Sequence, residues 1–298
     1  MSQELERNVA CPPVFLLGSI MLNITVLLEN TLYNQNLQKA HGLSLLIRTP
    51  EQHILLDTGP NSKFYKNAKK LGIDLSQIDS LVLSHAHYDH TGGVNKFCKL
   101  NEKAQILMFS PYNEKYYGKS KIGYHFIGLK ASAKNKKRIT FLQNPLQITK
   151  HCWFIPCSVE FYGKPNKNLS LYKKVGKVYS NDTFNHEGIL VYDDNGQLVI
   201  FNSCSHNGVI NSIESVRAFF PNKKIRSYIG GFHFPYSSID KIKPEDLRNL
   251  DELVDYANLQ KDITFFTGHC TGNGAFDYLR RALGERVQAI QTGKELEV

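Results

Sequence analysis

The sequence predicts a mixed α/β fold, and three observations carry that prediction. Apolar runs of four to six residues recur along the chain, several without polar alternation, as in strands covered on both faces. Stretches of helical period stand between them. The composition is that of a folded chain: 42% of the 298 residues are hydrophobic and 21% charged, enough for a sizeable core.

Strands are expected at 23–28, 43–48, 53–57, 81–84 and 105–110, then at 188–194, 197–203, 226–230 and 263–268. Asn195-Gly196 separates two of these and signals a hairpin, because a two-residue turn needs residues that tolerate positive φ. A helix is expected over 61–71, where Phe64, Ala68 and Leu71 fall at helical spacing. A second, over 208–220, places Val209, Ile213, Val216 and Phe220 on one face. A third, over 244–258, opens near Pro244 and aligns Leu247, Leu250 and Val254. A shorter one is expected at 275–283. Residues 12–28 are largely apolar, but no basic stretch precedes them and Asn23 and Thr25 interrupt them. They read as strands, not as a signal peptide or membrane span.

The net charge of +9 is uneven. From Lys99 to Lys177 there are 16 Lys/Arg against three acids, Glu102, Glu114 and Glu160, so this segment is strongly basic and the remainder slightly acidic. Such a surface can attract an anionic substrate, nucleic acid or a membrane; the plainer reading is a solvated, lysine-rich segment. Residues 111–180 are rich in Lys, Tyr, Gly and Asn with weak periodicity. The chain is therefore read as one domain, 1–298, with a basic insertion or lid at about 111–180. Six cysteines occur with no CxxC pair, and a chain of this length needs no disulfides. Free thiols and a cytoplasmic location are expected.

The stretch 84-SHAHYDHTGG-93 carries the chemistry. Alternate residues leaving a strand point to the same side, so His85 and His87 can converge, while Asp89 and His90 face a second point. Imidazole nitrogen and carboxylate oxygen are zinc donors, and the spacing suits two adjacent metals. Gly92 and Gly93 let the chain turn tightly afterwards.

Asp57-Thr58-Gly59 after an apolar strand, followed about 25 residues on by this histidine loop, resembles the metallo-β-lactamase superfamily. The resemblance implies an αββα sandwich of two mixed β-sheets with helices on the outer faces, and a metal site at one edge. It implies that Asp57 supports the histidine loop through hydrogen bonds. Three later strand ends carry Gly-flanked histidines: His206 in 202-NSCSHNG-208, His233 in 230-GGFHFP-235 and His269 in 268-GHCTGNG-274. This trio resembles the branch that includes 7,8-dihydropterin-6-yl-methyl-4-(β-D-ribofuranosyl)aminobenzene 5′-phosphate synthase and hydrolase-like relatives.

The expected ligand sets are His85, His87 and His206 on one metal, and Asp89, His90 and His269 on the other. His233 is expected to contact substrate or donate a proton. His186 and His41 read as surface histidines that could approach the site; His53, His125 and His151 read as structural or surface residues. Many superfamily hydrolases carry a metal-bridging aspartate in a Gly-Asp pair; here 203-SCSH-206 stands in that place, so either the bridge is missing or Cys204 supplies a thiolate. The donor set suits zinc, one ion or two, with iron or manganese as alternatives. Relatives that reduce oxygen at di-iron typically have Glu where this chain has His87, which argues against redox chemistry.

The expected function is hydrolysis of an ester, lactone or phosphoester of a small anionic metabolite by a hydroxide generated at the metal. Asp89 would hold its metal and orient the nucleophile or accept its proton. A nucleic-acid phosphodiesterase is the less favoured alternative, since the basic segment lacks an RNA-binding signature. A non-catalytic metal- or ligand-binding protein is the third reading.

Overall fold

Side chains on consecutive strands alternate between two cores, and this alternation builds the layers. Ile54 and Leu56 face one core, shared with Val26, Leu45, Ile47, Val82 and Leu107. Leu55 faces the other, with Leu46, Leu81, Leu83 and Ile106, against the helical residues Phe64, Ala68, Val94 and Phe97. A strand's period of two allows both faces to be apolar only where each is covered. The computed structural model describes residues 22–109 and 114–298. Of the apolar stretch 12–28, residues 12–21 lie outside the described residues, and Asn23–Leu28 is a strand.

Two seven-stranded sheets result. The first runs Glu295–Leu296, Asn23–Leu28, Ser44–Arg48, His53–Leu56, Ser80–Leu83, Gln105–Phe109, Ile139–Leu142. Its first four strands pair antiparallel and its last four parallel. The second runs Val287–Ala289, Thr264–Thr267, Lys224–Ile229, Gln197–Phe201, Gly188–Asp194, Cys152–Pro156, Leu146–Thr149. Here the first four pair parallel and the last four antiparallel. Phe154, Leu190, Val199, Phe201, Ile229 and Phe266 meet the first sheet across the shared core. The opposite face of the second sheet packs on Val209–Phe219, Pro244–Leu259 and Asn273–Leu283 through Ile213, Val216, Leu250, Leu253 and Leu279. This is the expected αββα sandwich of mixed sheets.

The expected helices form within two or three residues of their anticipated limits, the first as Lys63–Lys70. The Asn195-Gly196 turn has φ of 53° and 90°, as a hairpin with both central residues left-handed requires. Within 111–180, Lys115–Ser120, Gly123–Phe126 and Leu171–Val175 join Val178–Asn181 in a separate four-stranded sheet. Residues 139–156 instead supply edge strands to both main sheets.

Parallel pairing positions the site. His53–Leu56 and Ser80–Leu83 run parallel, so Asp57 and the loop from Ser84 leave one sheet at the same edge. Gln197–Phe201, Lys224–Ile229 and Thr264–Thr267 also run parallel, so the loops bearing His206, His233 and His269 leave the second sheet together. Ligand sites at the carboxyl ends of parallel strands follow from this geometry.

Candidate metal centre

His85, His87 and His206 converge. Their ring centroids lie 4.7–4.9 Å apart and their ligand nitrogens within 4.8 Å of one another. All three residues are buried, and the Nε2 atom of each has no hydrogen-bond partner among the described residues. Two of the opposite ring nitrogens are held: His85 Nδ1 by Ser84 Oγ at 2.9 Å, and His206 Nδ1 by Asn168 Oδ1 at 3.1 Å. Burial, reinforced by neighbouring imidazoles, keeps His85 and His206 well below the usual histidine range and brings His87 to about 3. The rings are thus neutral at pH 7, the form that ligates metal. Buried polar atoms in native proteins are normally satisfied, so three orphaned nitrogens facing one point fit a cation.

The second expected set also comes together. His90 Nε2 and His269 Nε2 are 3.0 Å apart, and Asp89 Oδ2 lies 3.7 Å and 3.6 Å from them. Burial opposes charge on Asp89, yet His90 and His269 hold its carboxyl down at about 2. Cys204 Sγ lies 3.2 Å from His90 Nε2. His233 sits beside the first set, its ring 4.1 Å from His206, and both its nitrogens are buried without partners.

Three buried carboxylates fix the loops. Asp57 accepts from the Ser84 N–H at 2.8 Å and Ser84 Oγ at 2.7 Å, and lies 2.7 Å from His90 Nδ1, the supporting role its motif implied. Glu187 accepts from the backbone N–H of His206 and Asn207 at 2.7 and 2.9 Å. Glu29 accepts from the His269 N–H at 2.6 Å. Asp57, Ser205, His233 and His269 all have φ between 52° and 61°, a region that costs a non-glycine residue energy and recurs at functional sites.

His186 is not the surface histidine its strand-start position suggested. It is fully buried, accepts from the Ala86 N–H at 3.1 Å through Nδ1, and meets Asp182 Oδ2 at 3.0 Å through Nε2. Asp182, four residues earlier, makes that burial tolerable, and its Oδ2 lies 4.0 Å from His87 Nε2. With both nitrogens engaged, His186 supports the site from behind. His41 is exposed, as expected, but lies at the rim with Nε2 3.4 Å from Asp89 Oδ2. A cavity of about 450 Å³ opens there, bordered by His41, His269, Asn30, Tyr236 and Phe276. Sequence reasoning missed Asp182, Glu187 and Glu29. Glu29 and Glu187 flank apolar strands and Asp182 follows the exposed strand Val178–Asn181, signals too common to single out.

The family model of the metallo-beta-lactamase superfamily matches residues 39–116, which span the Asp57 turn and the histidine loop. A solved metal-dependent hydrolase of the beta-lactamase superfamily superposes with a TM-score of 0.78 at 26% identity, covering 93% of this chain and 99% of its own. The chain thus has the metallo-β-lactamase fold, and its residues 39–116 are similar to that superfamily's domain. Among curated proteins, it is 26% identical to the 7,8-dihydropterin-6-methyl-4-(beta-D-ribofuranosyl)-aminobenzene-5′-phosphate synthase of Methanocaldococcus jannaschii, over 88% of this chain and 91% of that one. An uncharacterized protein of the same organism is 28% identical over 84% of this chain and 90% of its own. The edge of the sandwich holds candidate ligand clusters of His, Asp and Cys among the described residues. Among the described residues, no helix is long and apolar enough to cross a membrane.

Proposed function

We propose that this chain is a metal-dependent hydrolase of small anionic molecules, with His85, His87 and His206 holding one cation and Asp89, His90 and His269 a second. The observation that carries the reading is the convergence of three buried, unpartnered Nε2 atoms on one point. Nitrogen donors with one carboxylate suit zinc, and also iron or manganese. When bound, the cations supply Lewis acidity and lower the pKa of water.

The chain's own residues do the rest. Asp57, Glu187 and Glu29 hold the three ligand loops rigid, so the donors need little rearrangement. Asp89, a carboxylate at neutral pH beside the cavity, orients the attacking water or accepts its proton. His233, with two unpartnered nitrogens beside His206, contacts the substrate or donates a proton to the leaving group. The cavity beside His41 and His269 admits a small molecule. A second cavity, which also reaches Pro235 and Tyr236, carries Lys167 and Lys243 for an anionic group.

A second reading is group transfer instead of hydrolysis. It is favoured by the relative named as a synthase of a phosphate-bearing pterin. Metal analysis of the wild type beside His87→Ala and His206→Ala, together with turnover on ester, lactone and phosphodiester panels, tests the proposal. Two metals in the wild type, loss of metal in both variants and hydrolysis of one panel support it. Full metal content in His206→Ala overturns the ligand assignment. Metal without hydrolysis, but with condensation of a phosphorylated sugar donor, supports transfer.

A further inference from the structure

We infer that Cys204 completes this centre as a thiolate bridging the two metal positions. The inference rests on the metal-binding reading above and adds to it a donor that ties the two ligand sets together. Cys204 is the third residue beyond the strand Gln197–Phe201, on the loop that also presents His206, and it is 2% exposed.

Its sulfur is placed between the sets. Cys204 Sγ lies within 4.8 Å of ligand atoms of His85 and His90, of His206 and His233, and of His269 and Cys270. It therefore reaches two members of the first set, His85 and His206, and two of the second, His90 and His269. His90 Nε2 lies at 3.2 Å. A sulfur and a nitrogen sharing one tetrahedral zinc, at about 2.3 and 2.0–2.1 Å from it, stand about 3.5 Å apart. The Cys204–His90 separation is close to that distance.

Donor counting points the same way. Each set offers three donor groups; a shared sulfur makes a fourth, and zinc's capacity for a fifth ligand keeps a position for water. One shared sulfur supplies the fourth to both, across the metal–metal separation of about 3.5–4 Å usual in two-metal sites. The His85 and His206 Nε2 atoms are buried and without a hydrogen-bond partner among the described residues, so a cation there would take their lone pairs together with those of the sulfur. On metal binding the Cys204 S–H bond breaks, the proton leaves to solvent, and sulfur lone pairs are donated to both cations. No electron transfer is needed. A thiolate bridge also sorts the metals: it favours zinc or iron over manganese and magnesium.

Cys270 is the competing thiol. Its sulfur is 3.7 Å from the Cys204 carbonyl oxygen and lies within 4.8 Å of Cys204 Sγ and a ring nitrogen of His269, a member of the second set. It therefore serves as the control.

The test uses the full chain loaded with cobalt(II), whose bond to thiolate gives a near-ultraviolet charge-transfer band. Wild type and Cys270→Ser are expected to bind two cobalt ions and show the band. Cys204→Ser is expected to lose the band and retain one ion. X-ray absorption of the zinc-loaded wild type, which needs no variant to fold, is expected to show sulfur in the zinc shell. Two bound ions with no band and a shell of nitrogen and oxygen alone would overturn the bridge while leaving the histidine and aspartate ligands standing. A band that survives Cys204→Ser but not Cys270→Ser would move the thiolate to Cys270. Failure of the wild type to bind any metal would overturn both readings.

Discussion

Asp57 Oδ2 lies 2.7 Å from His90 Nδ1, and both side chains are fully buried. The contact turns the opposite nitrogen of His90 toward His269 and Asp89. It also sets the charge of the ring. Burial disfavours an imidazolium, yet Asp89 and Asp57 together carry His90 up to about 9. The same carboxylate holds Ser84, whose hydroxyl touches His85 Nδ1. One acid at the end of one strand thus orients a candidate ligand in each of the two sets.

Asp57→Asn keeps the shape and tolerates the left-handed backbone at this position, but removes the charge and one acceptor oxygen. Metal affinity is expected to fall about 10- to 100-fold, the usual cost of losing such a supporting partner. The loss should be larger at the His90 position than at the His85 position. Competition with a chromophoric chelator reads the two affinities. Unchanged binding at both would show that the histidine loop needs no such support.

Glu187 sits under the second loop. Its carboxylate accepts two backbone N–H groups and the Asn207 amide at 3.0 Å, all buried. Glu187→Ala leaves the His206 and Asn207 backbone N–H groups without an acceptor, at about 1–3 kcal/mol for each that water does not reach, while the Asn207 amide keeps the Phe184 carbonyl at 3.1 Å. Burial raises the Glu187 pKa above its ordinary 4.5. A carboxyl raised in the folded state contributes stability that is full below its unfolded pKa and lost as pH rises through the folded one. The wild type's margin over Glu187→Ala should therefore be widest in acid, below about pH 4.5, and narrow toward neutrality. Urea midpoints of the metal-free proteins across that range provide the check. A margin that widens with pH would reverse the argument.

The layers were legible because they are written in side-chain alternation. Ile54, Leu55 and Leu56 are all apolar because both faces are covered, and the continuous run showed it. The first candidate ligands were legible because His85, His87, Asp89 and His90 share one loop and their spacing is itself the geometry. His206 and His269 needed one more step, the repetition of a histidine just past an apolar strand. Asp182 and His186 lay beyond that logic. Their burial depends on an Asp182–His186 pair and on the Ala86 N–H a hundred residues away, and no local pattern encodes a partner at that distance. Strand order was equally hidden: nothing in 139–156 announces that its strands edge both main sheets.

His233 separates chemistry from ligation. Its ring lies 4.1 Å from that of His206, and neither of its nitrogens is spoken for. As a proton donor it should matter to turnover and not to metal. His233→Ala is expected to keep both metals and lower kcat by a factor on the order of 10²–10⁴, the range for loss of a general acid. Metal analysis and steady-state kinetics on the same preparation decide it. If metal content falls with activity, His233 belongs with Cys204 and His206 as a ligand.

The basic segment invites a test of nucleic-acid binding, and the accessory sheet argues for a negative result. Its exposed face carries Tyr117, Tyr124, Tyr172 and Tyr179, and a row of aromatic rings beside lysines could pass for a base-stacking platform. The rings already cover one another. Tyr124 stacks on Tyr179 at 4.2 Å with planes 18° apart, and meets Tyr172 edge-on at 5.1 Å. Lys119 Nζ lies 5.6 and 5.4 Å from the Tyr124 and Tyr172 ring centres, and Lys174 Nζ 4.6 Å from that of Tyr179. A base would have to displace these contacts, each cation–π pair being worth about 0.5–1 kcal/mol at an exposed site. What remains is lysine charge alone, which gives weak, salt-sensitive binding. Fluorescence anisotropy with a labelled single strand should show no tight complex at physiological salt. Lys119→Ala and Tyr124→Ala should lower the residual low-salt affinity by similar small factors, since neither supplies stacking. A tight complex that Tyr124→Ala abolishes and Lys119→Ala only weakens would make the sheet a stacking surface and bring the phosphodiesterase reading forward.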